Sequence, residues 1–331
     1  MSTETKISVT PNTPQLLRTS AANRIREAGL LGAVIVVFII FSLTAPNFFT
    51  IGNFLDVLHA VALQGIVAWG MTLLIIGAEI DISVGPVVAF ASVLLAILNT
   101  QFGVPIPIAV LLVLLEGTAV GLGAGFIRAY FNVPSFIVTL ALWTSIRGLA
   151  YLMTNGLPIP ISSASFQFWG GGSIAGIPVP VIIMLLLFGV FWFIAQRTVF
   201  GRSVFAVGGN ADAARLSGIP VSRIRVILFG ITGLLSTLSG ILLASWLGSG
   251  NPGAATGMEF DVIAAVIVGG TDLFGGRGTM FGTLLGVILI GMLANGLILM
   301  GVSPYVQDIL RGVIILVAVL INTLVRRRSI T

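Results

Sequence analysis

The chain has 331 residues, of which 57% are hydrophobic and only 8% are charged, and its formal net charge is +5. Soluble domains carry about 25% charged residues, so this composition excludes an ordinary water-soluble domain and indicates an integral membrane protein. The absence of cysteine excludes disulfides, thiolate catalysis and iron–sulfur ligation.

The N-terminal stretch is polar, and three arginines precede the first apolar run. A cleaved signal peptide would have a shorter basic region and a small-residue cleavage site after a brief apolar core. We therefore predict a disordered cytoplasmic tail over residues 1–27. A membrane domain is predicted over residues 28–325, beginning with an uncleaved span, and residues 326–331 form a second cytoplasmic tail.

Apolar runs separated by Pro, Gly or Asn predict ten membrane segments, and the fold class is therefore an all-α polytopic membrane protein. A helix of about 20 residues crosses a hydrocarbon core of about 30 Å, and the alternating strands of about 10 residues that build a membrane barrel are missing. The eighth segment is too short to cross alone and is predicted to be a half-helix covered by protein. The segments are Leu30–Leu43, Val57–Ile76, Pro86–Leu98, Ile106–Ile127, Pro134–Met153, Val179–Ile194, Ile224–Leu247, Val262–Gly270, Met280–Met300 and Tyr305–Val325.

The distribution of arginines predicts the orientation of the chain in the membrane. Loops on the cytoplasmic side carry an excess of Lys and Arg. With the N-terminus inside, ten crossings return the C-terminus to the inside, and only Arg147 and Arg311 fall toward the other side. This bias explains the net positive charge without a nucleic-acid partner.

Two carboxylates interrupt the apolar pattern in the stretch "GAEIDISVG", where Glu79 and Asp81 lie between two runs without charge. Pro86 fits the first turn of a helix, so Asp81 and Ser83 are predicted to lie just ahead of a helix N-terminus. There they can accept hydrogen bonds from free backbone N–H groups and complement the helix dipole. Direct contact with a substrate or a gate is the alternative, and catalysis is the function that the pattern favours least.

Two short motifs recur and predict an inverted repeat. The "EID" of residues 79–81 returns as "EFD" at residues 259–261, and "GTAVG" at residues 117–121 returns as "GTLLG" at residues 282–286. In the ten-segment topology the two copies lie on opposite sides, as in the inverted repeats of transporters. The paired glycines of the second motif are one turn apart and predict close helix packing.

The long polar loop over residues 197–225 contains the stretch "NADAARLSG", which predicts one complete short helix. Asn210 is a good N-cap, Asp212 complements the helix start, and Arg215 stands in the last turn. Gly218 provides the left-handed stop. The loop helix is either a solvated surface element or a docking helix that couples a cytoplasmic partner to the membrane.

Glycines are dense between residues 268 and 278, but the chain cannot hydrolyse a nucleotide there, because a Walker loop needs a lysine and the only lysine is Lys6. We interpret the stretch as a tight turn with close packing after a half-helix. Glu259 and Asp261 are expected ahead of that half-helix, as Asp81 is ahead of its helix. The helix-start or gate candidates are Glu79, Asp81, Ser83, Gly85, Glu259, Asp261, Gly269, Gly270, Gly275, Gly276 and Gly278.

Glu116 is the most isolated charge of the chain and lies within the fourth segment. A carboxylate at that depth is costly and should face the interior of the bundle or water. It is either protonated or paired with Arg147 on the next segment, in a structural role or on a transport pathway. Asp308 and Arg311 are three residues apart and are expected to neutralise each other on one helix. The sequence predicts no metal site, no cofactor and no catalytic residue.

Five stretches, taken in order, resemble the permease subunits of ribose-type sugar ABC importers. They are "APNFFTIGNF", "GAEIDISVG", "MTNGLPI", "AVGGNADAARLSGIPVSRIR" and "EFDVIAAVIVGGTDLFGGRGTMFGT". The resemblance runs from about residue 38 to the C-terminus, and the ordered co-occurrence of the motifs is highly specific.

The resemblance implies a type II-importer-like permease of the bacterial inner membrane. Its implied partners are a second permease copy, a cytoplasmic ATP-binding subunit and a periplasmic sugar-binding protein. The residues that match the ATPase-contacting stretch are Gly209, Asn210, Asp212, Ala213, Ala214, Arg215 and Gly218. Ala213 and Ala214 are small enough for a partner groove to close over them, and both are expected to face the partner.

The sequence leaves two other functions open and excludes a third. An importer permease for branched-chain amino acids or nucleosides would share the fold. An ion-coupled secondary transporter would need an ion site in the membrane, for which Glu116 is the only good candidate. An intramembrane enzyme fails for lack of residues, since the chain has one histidine and no cysteine.

Overall fold

The computed structural model describes residues 15–330, with side chains described for residues 27–320 and for Thr323. The predicted tail residues 1–14 and Thr331 lie outside the described residues. The helices are α1 (Gln15–Thr44), α2 (Ile51–Ile76), α3 (Val84–Thr100), α4 (Ile106–Tyr130), α5 (Ser135–Thr154), α6 (Ala164–Gly171), α7 (Val179–Arg197), α8 (Val199–Gly209), α9 (Ala211–Leu216), α10 (Val221–Leu247), α11 (Met258–Val268), α12 (Met280–Leu299) and α13 (Pro304–Ile330). Four two-residue strands are β1 (Ile159–Pro160), β2 (Ser173–Ile174), β3 (Ile177–Pro178) and β4 (Ser249–Gly250).

Each of the ten predicted apolar segments falls on a helix, and the all-α polytopic fold is confirmed. Among the described residues, seven helices are long and apolar enough to cross a membrane. α3 and α11 are shorter. One expectation is wrong: α1 begins at Gln15, so residues 15–27 of the predicted tail continue the helix of the first segment.

The core is built around α2 and α10, which carry the longest series of buried side chains. Trp69 of α2 and Phe229 of α10 are fully buried. α2 packs against α7, α10, α11 and α12, whereas α10 packs against α2, α3, α4 and α6. Most other helices expose large apolar side chains, as expected for surfaces that meet lipid or another subunit.

Glycines bring two pairs of helices into backbone contact. On α4, a Cβ added to Gly121 would overlap the carbonyl oxygen of Phe229 on α10. On α12, a Cβ added to Gly286 would overlap the carbonyl oxygen of Ala265 on α11. The predicted close packing of both glycine motifs agrees with this geometry, because small residues permit such an approach.

The starts of α3 and α11 lie next to each other. A Cβ on Gly85, the second residue of α3, would overlap a carboxylate oxygen of Glu259 and would meet the carbonyl oxygen of Ala255 at 2.9 Å. Each helix follows a segment without helical structure, residues 77–83 for α3 and residues 248–257 for α11. The two regions that carry the repeated acidic motif therefore meet, while the inverted repeat itself stays a prediction.

Candidate functional site

The polar loop over residues 197–225 contains the short helix α9, and the predicted residues Asn210 and Gly218 stand at its two ends. The Oδ1 atom of Asn210 accepts hydrogen bonds from the backbone N–H groups of Asp212 and Ala213, both at 3.0 Å. At the other end Gly218 has a φ of 82°, the left-handed conformation that glycine favours. The helix is thus defined locally by its own sequence.

The side chains of α9 point in two directions. Ala214 is only 5% exposed and belongs to the main hydrophobic core. Ala213 is exposed, and Leu216 is 90% exposed. Asp212 and Arg215 form an exposed ion pair at 3.5 Å. The expectation that Ala214 faces a partner is wrong, because successive helix positions are about 100° apart and Ala214 turns toward the body of the protein.

The residues just before α9 pack against the end of α2 and the glycine-rich turn. The N–H of Gly276 donates to the carbonyl oxygen of Ile76 at 2.8 Å. A Cβ on Gly208 would overlap that same carbonyl oxygen. Gly209, by contrast, faces open space within this chain. The start of the polar loop is therefore in backbone contact with the segment that leads to Glu79.

Glu79 is the centre of a buried ion cluster rather than part of a helix start. Its side chain is 1% exposed, and Arg128 of α4 donates from Nε to Oε2 at 2.8 Å. Arg225 of α10 forms a second ion pair, with its Nε 2.7 Å from Oε1 of Glu79. Its Nε–H does not point at that oxygen, so the pair is not a hydrogen bond. Of the two roles expected for Glu79, helix start or gate, the geometry does not support the helix start, because Glu79 lies five residues ahead of α3 and joins two other helices. The gate role stays a prediction.

Asp81 and Ser83 lie just ahead of α3. The Oδ1 atom of Asp81 accepts hydrogen bonds from the Ser83 N–H at 2.8 Å and from the Ser83 hydroxyl at 2.6 Å. Ser83 itself is the N-cap residue and makes no side-chain capping bond. Asp81 is thus placed as expected, whereas Ser83 serves as the donor to Asp81.

Glu259 and Asp261 lie inside the first turn of α11 and not ahead of it, which corrects the expected position. The helix begins at Met258, because Gly257 at φ 81° starts it earlier than the apolar pattern indicates. Oε1 of Glu259 accepts a hydrogen bond from the indole N–H of Trp143 on α5 at 2.8 Å. Asp261 is paired with Arg311, at 2.5 Å from Nε and 3.2 Å from Nη2.

The glycine-rich stretch after α11 forms a turn, as its composition indicates. Gly270, Gly275 and Gly276 have φ values of 99°, 88° and 77°. A Cβ on Gly269 would overlap the backbone of α12, and one on Gly278 would meet the side chain of Ile76 at 2.8 Å. These glycines thus permit the turn and its close packing.

Glu116 and Arg147 do not pair. Arg147 donates from Nη1 to the carbonyl oxygens of Pro252 and Ala254, at 2.8 and 2.9 Å. The buried Oε2 atom of Glu116 has no hydrogen-bond partner among the described residues. The alternative in which Glu116 pairs with Arg147 is therefore wrong. The pairing of Asp308 with Arg311 is confirmed at 2.7 Å.

Sequence reasoning missed several residues of these sites. Arg128 and Arg225 follow the positive-inside pattern of the loop arginines, and nothing in the sequence indicates that both reach Glu79. Trp143 carries no motif signal. For Leu216 the available signal is an apolar residue in the last turn of a capped helix within a polar loop.

One known protein family matches most of the chain. A model of the family described as "Branched-chain amino acid transport system / permease component" matches residues 53–319. The match includes the polar loop that contains α9, both acidic motifs and the glycine-rich turn.

Individual relatives match along almost their whole length. The chain is 54% identical over 313 residues to the Escherichia coli (strain K12) protein named "Probable ABC transporter permease protein YphD", covering 95% of this chain and 94% of that protein. It is 43% identical over 294 residues to "Ribose import permease protein RbsC" of Bacillus subtilis (strain 168), covering 88% and 91%. It is 38% identical over 298 residues to "L-arabinose ABC transporter permease protein AraH" of Azospirillum brasilense, covering 90% and 88%.

Proposed function

This chain belongs to the family of transport-system permease components, and we propose that it is the membrane permease of an ATP-driven importer whose solute is a monosaccharide. In that role the chain is a transport subunit and not an enzyme. ATP hydrolysis belongs to a separate ATP-binding protein, since the chain has no lysine in a glycine-rich loop.

A sugar is preferred to an amino acid as the solute because of the relatives. Proteins 43% and 38% identical, over most of both chains, carry the names of a ribose and an L-arabinose permease. The family description mentions branched-chain amino acids, but a family-wide description carries less information about a solute than relatives of this similarity.

The observation that carries the coupling role is the geometry of α9. Ala214 anchors the helix in the core, while Ala213 and Leu216 are exposed. An apolar side chain as exposed as Leu216, on a short helix that also exposes Ala213, suits insertion into an apolar groove of a partner. The contact of Gly208 with the end of α2 would pass the motion of that partner into the membrane body.

A solute-binding protein would deliver the sugar, and two copies of this chain would form the permease pair. We place the assembly in the bacterial inner membrane with both termini in the cytoplasm, since the loop arginines then follow the positive-inside rule. The exposed apolar side chains of α5 and α13 offer a face for the second copy.

Replacing Leu216 or Ala213 with glutamate is expected to reduce the ATPase retained by the purified permease at least tenfold, with the permease still folded. The charge would be desolvated in the partner groove, at a cost of several kcal/mol. The measurement is co-purification of the ATPase on tagged permease, with permease folding followed by gel filtration and thermal unfolding.

Leu157→Glu is the matched control. Leu157 is an exposed leucine, at 69%, in the turn between α5 and β1, and β1 pairs with β4 at the end of α10 that is remote from α9. Its ATPase retention should therefore equal that of the unchanged chain. Ala214→Glu should instead unfold the permease. Full retention of the ATPase by both exposed-site variants would refute the docking role of α9.

A further inference from the structure

The exposed side of α9 continues onto α8. On α8, Arg202, Ala206 and Gly209 are exposed and are spaced at i, i+4 and i+7, so they share one face of the helix. The other face of α8 packs into the main hydrophobic core. Gly209 leads directly into α9, and a Cβ added to it would meet nothing within 4 Å. A stripe of small exposed residues therefore runs along the chain from α8 to Ala213 and Leu216 of α9.

Four exposed arginines lie on the elements that border this stripe. They belong to α8, to α9, to the first turn of α10 and to the glycine-rich turn, and they are Arg202, Arg215, Arg223 and Arg277. The glycine-rich turn is adjacent, because a Cβ on Gly276 would meet the Cα atom of Gly209 at 2.8 Å. α10 packs against both α8 and α9. Among the described residues, only Arg215 of these four forms an ion pair, with Asp212.

The carboxylates of this region do not balance its guanidiniums. Besides the four exposed arginines, Arg128 and Arg225 share the single carboxylate of Glu79. The other two carboxylates are those of Asp212 and Asp272, and the Asp272 side chain accepts a hydrogen bond from a backbone N–H of its own turn. Six guanidiniums thus stand against three carboxylates, which leaves an excess of three positive charges. Such an excess favours a partner surface that carries carboxylates.

The shape of this surface fits a protein groove better than a lipid surface. A segment that lies on a membrane needs a broad apolar face of residues such as Trp, Phe and Leu beside its basic residues. Aromatic side chains of that kind are exposed at the end of α4, at Tyr130 and Phe131. Residues 206–218 contain no aromatic residue and one leucine. An apolar centre with charges around it is instead the usual anatomy of a protein interface.

We propose that the ATP-binding subunit meets this surface with a groove whose floor is apolar and whose rim carries Asp and Glu side chains. Leu216 enters the groove, while Arg202 and Arg277 bind carboxylates of the rim. The proposal rests on the proposed function and adds the charge of the partner surface. The positive-inside rule accounts for the side of the membrane on which these arginines lie, but it makes no demand on a partner. Attachment through exposed charges should weaken as the ionic strength rises.

The first test measures the ATPase retained by the purified permease in nanodiscs of phosphatidylcholine, a lipid without net charge. Arg202→Gln and Arg277→Gln should each lower retention about threefold, and the double variant about tenfold, since each removes one exposed charge pair. Raising the KCl concentration from about 0.1 M to about 1 M shortens the Debye length from about 10 Å to about 3 Å. Retention by the unchanged chain should therefore fall at high salt, and retention by the double variant should fall less.

Gln101→Glu is the matched control for charge, because it lowers the net charge by one, as each arginine variant does. Gln101 is exposed at the C-terminal end of α3. α3 packs against β1 and β4, which pair at the end of α10 that is remote from α9. ATPase retention by this variant should equal that of the unchanged chain. Thermal unfolding verifies that each variant is folded.

The second test uses the fact that Lys6 is the only lysine of the chain. In a Lys6→Arg background, Arg202→Lys or Arg277→Lys keeps the positive charge and supplies a single side-chain amine. A carbodiimide joins such an amine to a contacting carboxylate as an amide, with loss of water. Mass spectrometry should find this amide between the introduced lysine and an Asp or Glu of the ATPase. Gln101→Lys in the same background is the control and should form no such link.

Two results would overturn the proposal. One is full ATPase retention with unchanged salt dependence in the double variant, and the other is the absence of any amide from either introduced lysine. If the arginine variants lost only binding to phosphatidylglycerol vesicles, the arginines would serve the membrane and the proposal would again be wrong. Loss of the ATPase in Leu216→Glu but not in the arginine variants would leave the proposed function intact while refuting the acidic rim.

Discussion

Replacing Glu79 with glutamine is expected to destabilise the permease by about 3 kcal/mol or more, because breaking a buried ion pair leaves charge without compensation. Here two guanidiniums, Arg128 and Arg225, would face each other with side chains only 18% and 14% exposed. The measurement is thermal unfolding of the purified permease in detergent, with the midpoint falling by roughly 5 °C or more.

Asp56→Asn is the control for this prediction, since it removes an exposed carboxylate and should leave the midpoint nearly unchanged. The ion cluster also joins the base of α10, which follows α9, to the segment ahead of α3. Loss of Glu79 should therefore reduce ATP-driven uptake even in the fraction that remains folded. If Glu79→Gln had a normal thermal unfolding midpoint and normal ATP-driven uptake, the ion cluster would contribute neither to stability nor to the coupling of ATP hydrolysis to transport.

Replacing Gly121 or Gly286 with leucine is expected to have a comparable or larger effect on stability. The added side chain would overlap a backbone carbonyl oxygen, of Phe229 in one case and Ala265 in the other. Backbone in a packed helix pair cannot move aside as a flexible side chain can, so the helices must separate. We expect a loss above the usual overpacking range of about 1–3 kcal/mol and a sharp fall in folded yield in detergent.

Gly123→Leu is the matched control for α4. Gly123 is two residues after Gly121 on the same helix, and a Cβ there would meet nothing within 4 Å. This variant should fold at normal yield. If Gly121→Leu and Gly286→Leu also showed normal yield and thermal stability, the close contacts of α4 with α10 and of α11 with α12 would be disproved.

Much of the fold follows from local sequence. The apolar runs predict the membrane helices because a helix in a bilayer needs continuous apolar length, which composition alone reveals. The caps of α9 were predictable for the same reason: Asn210 and Gly218 act on backbone groups within a few residues. Boundaries were less accurate where a polar segment can continue a helix, as at Gln15.

The partners of the charged residues could not be predicted, because they depend on tertiary packing. Glu79 meets Arg128 and Arg225 only after α4 has packed against α10 and α10 has packed against α2. Arg311 likewise reaches Asp261 from another helix, whereas its pairing with Asp308 within one helix was predictable from spacing. The burial of Ala214 depends on which side of α9 packs against the core. A helix of six residues is too short for its own sequence to indicate that side.

The most direct test of the proposed function is solute uptake into liposomes that contain this chain, alone or with its ATPase and solute-binding protein. Our interpretation predicts that a monosaccharide accumulates only when all three proteins and ATP are present. Accumulation by the chain alone, driven by a sodium or proton gradient, would contradict it.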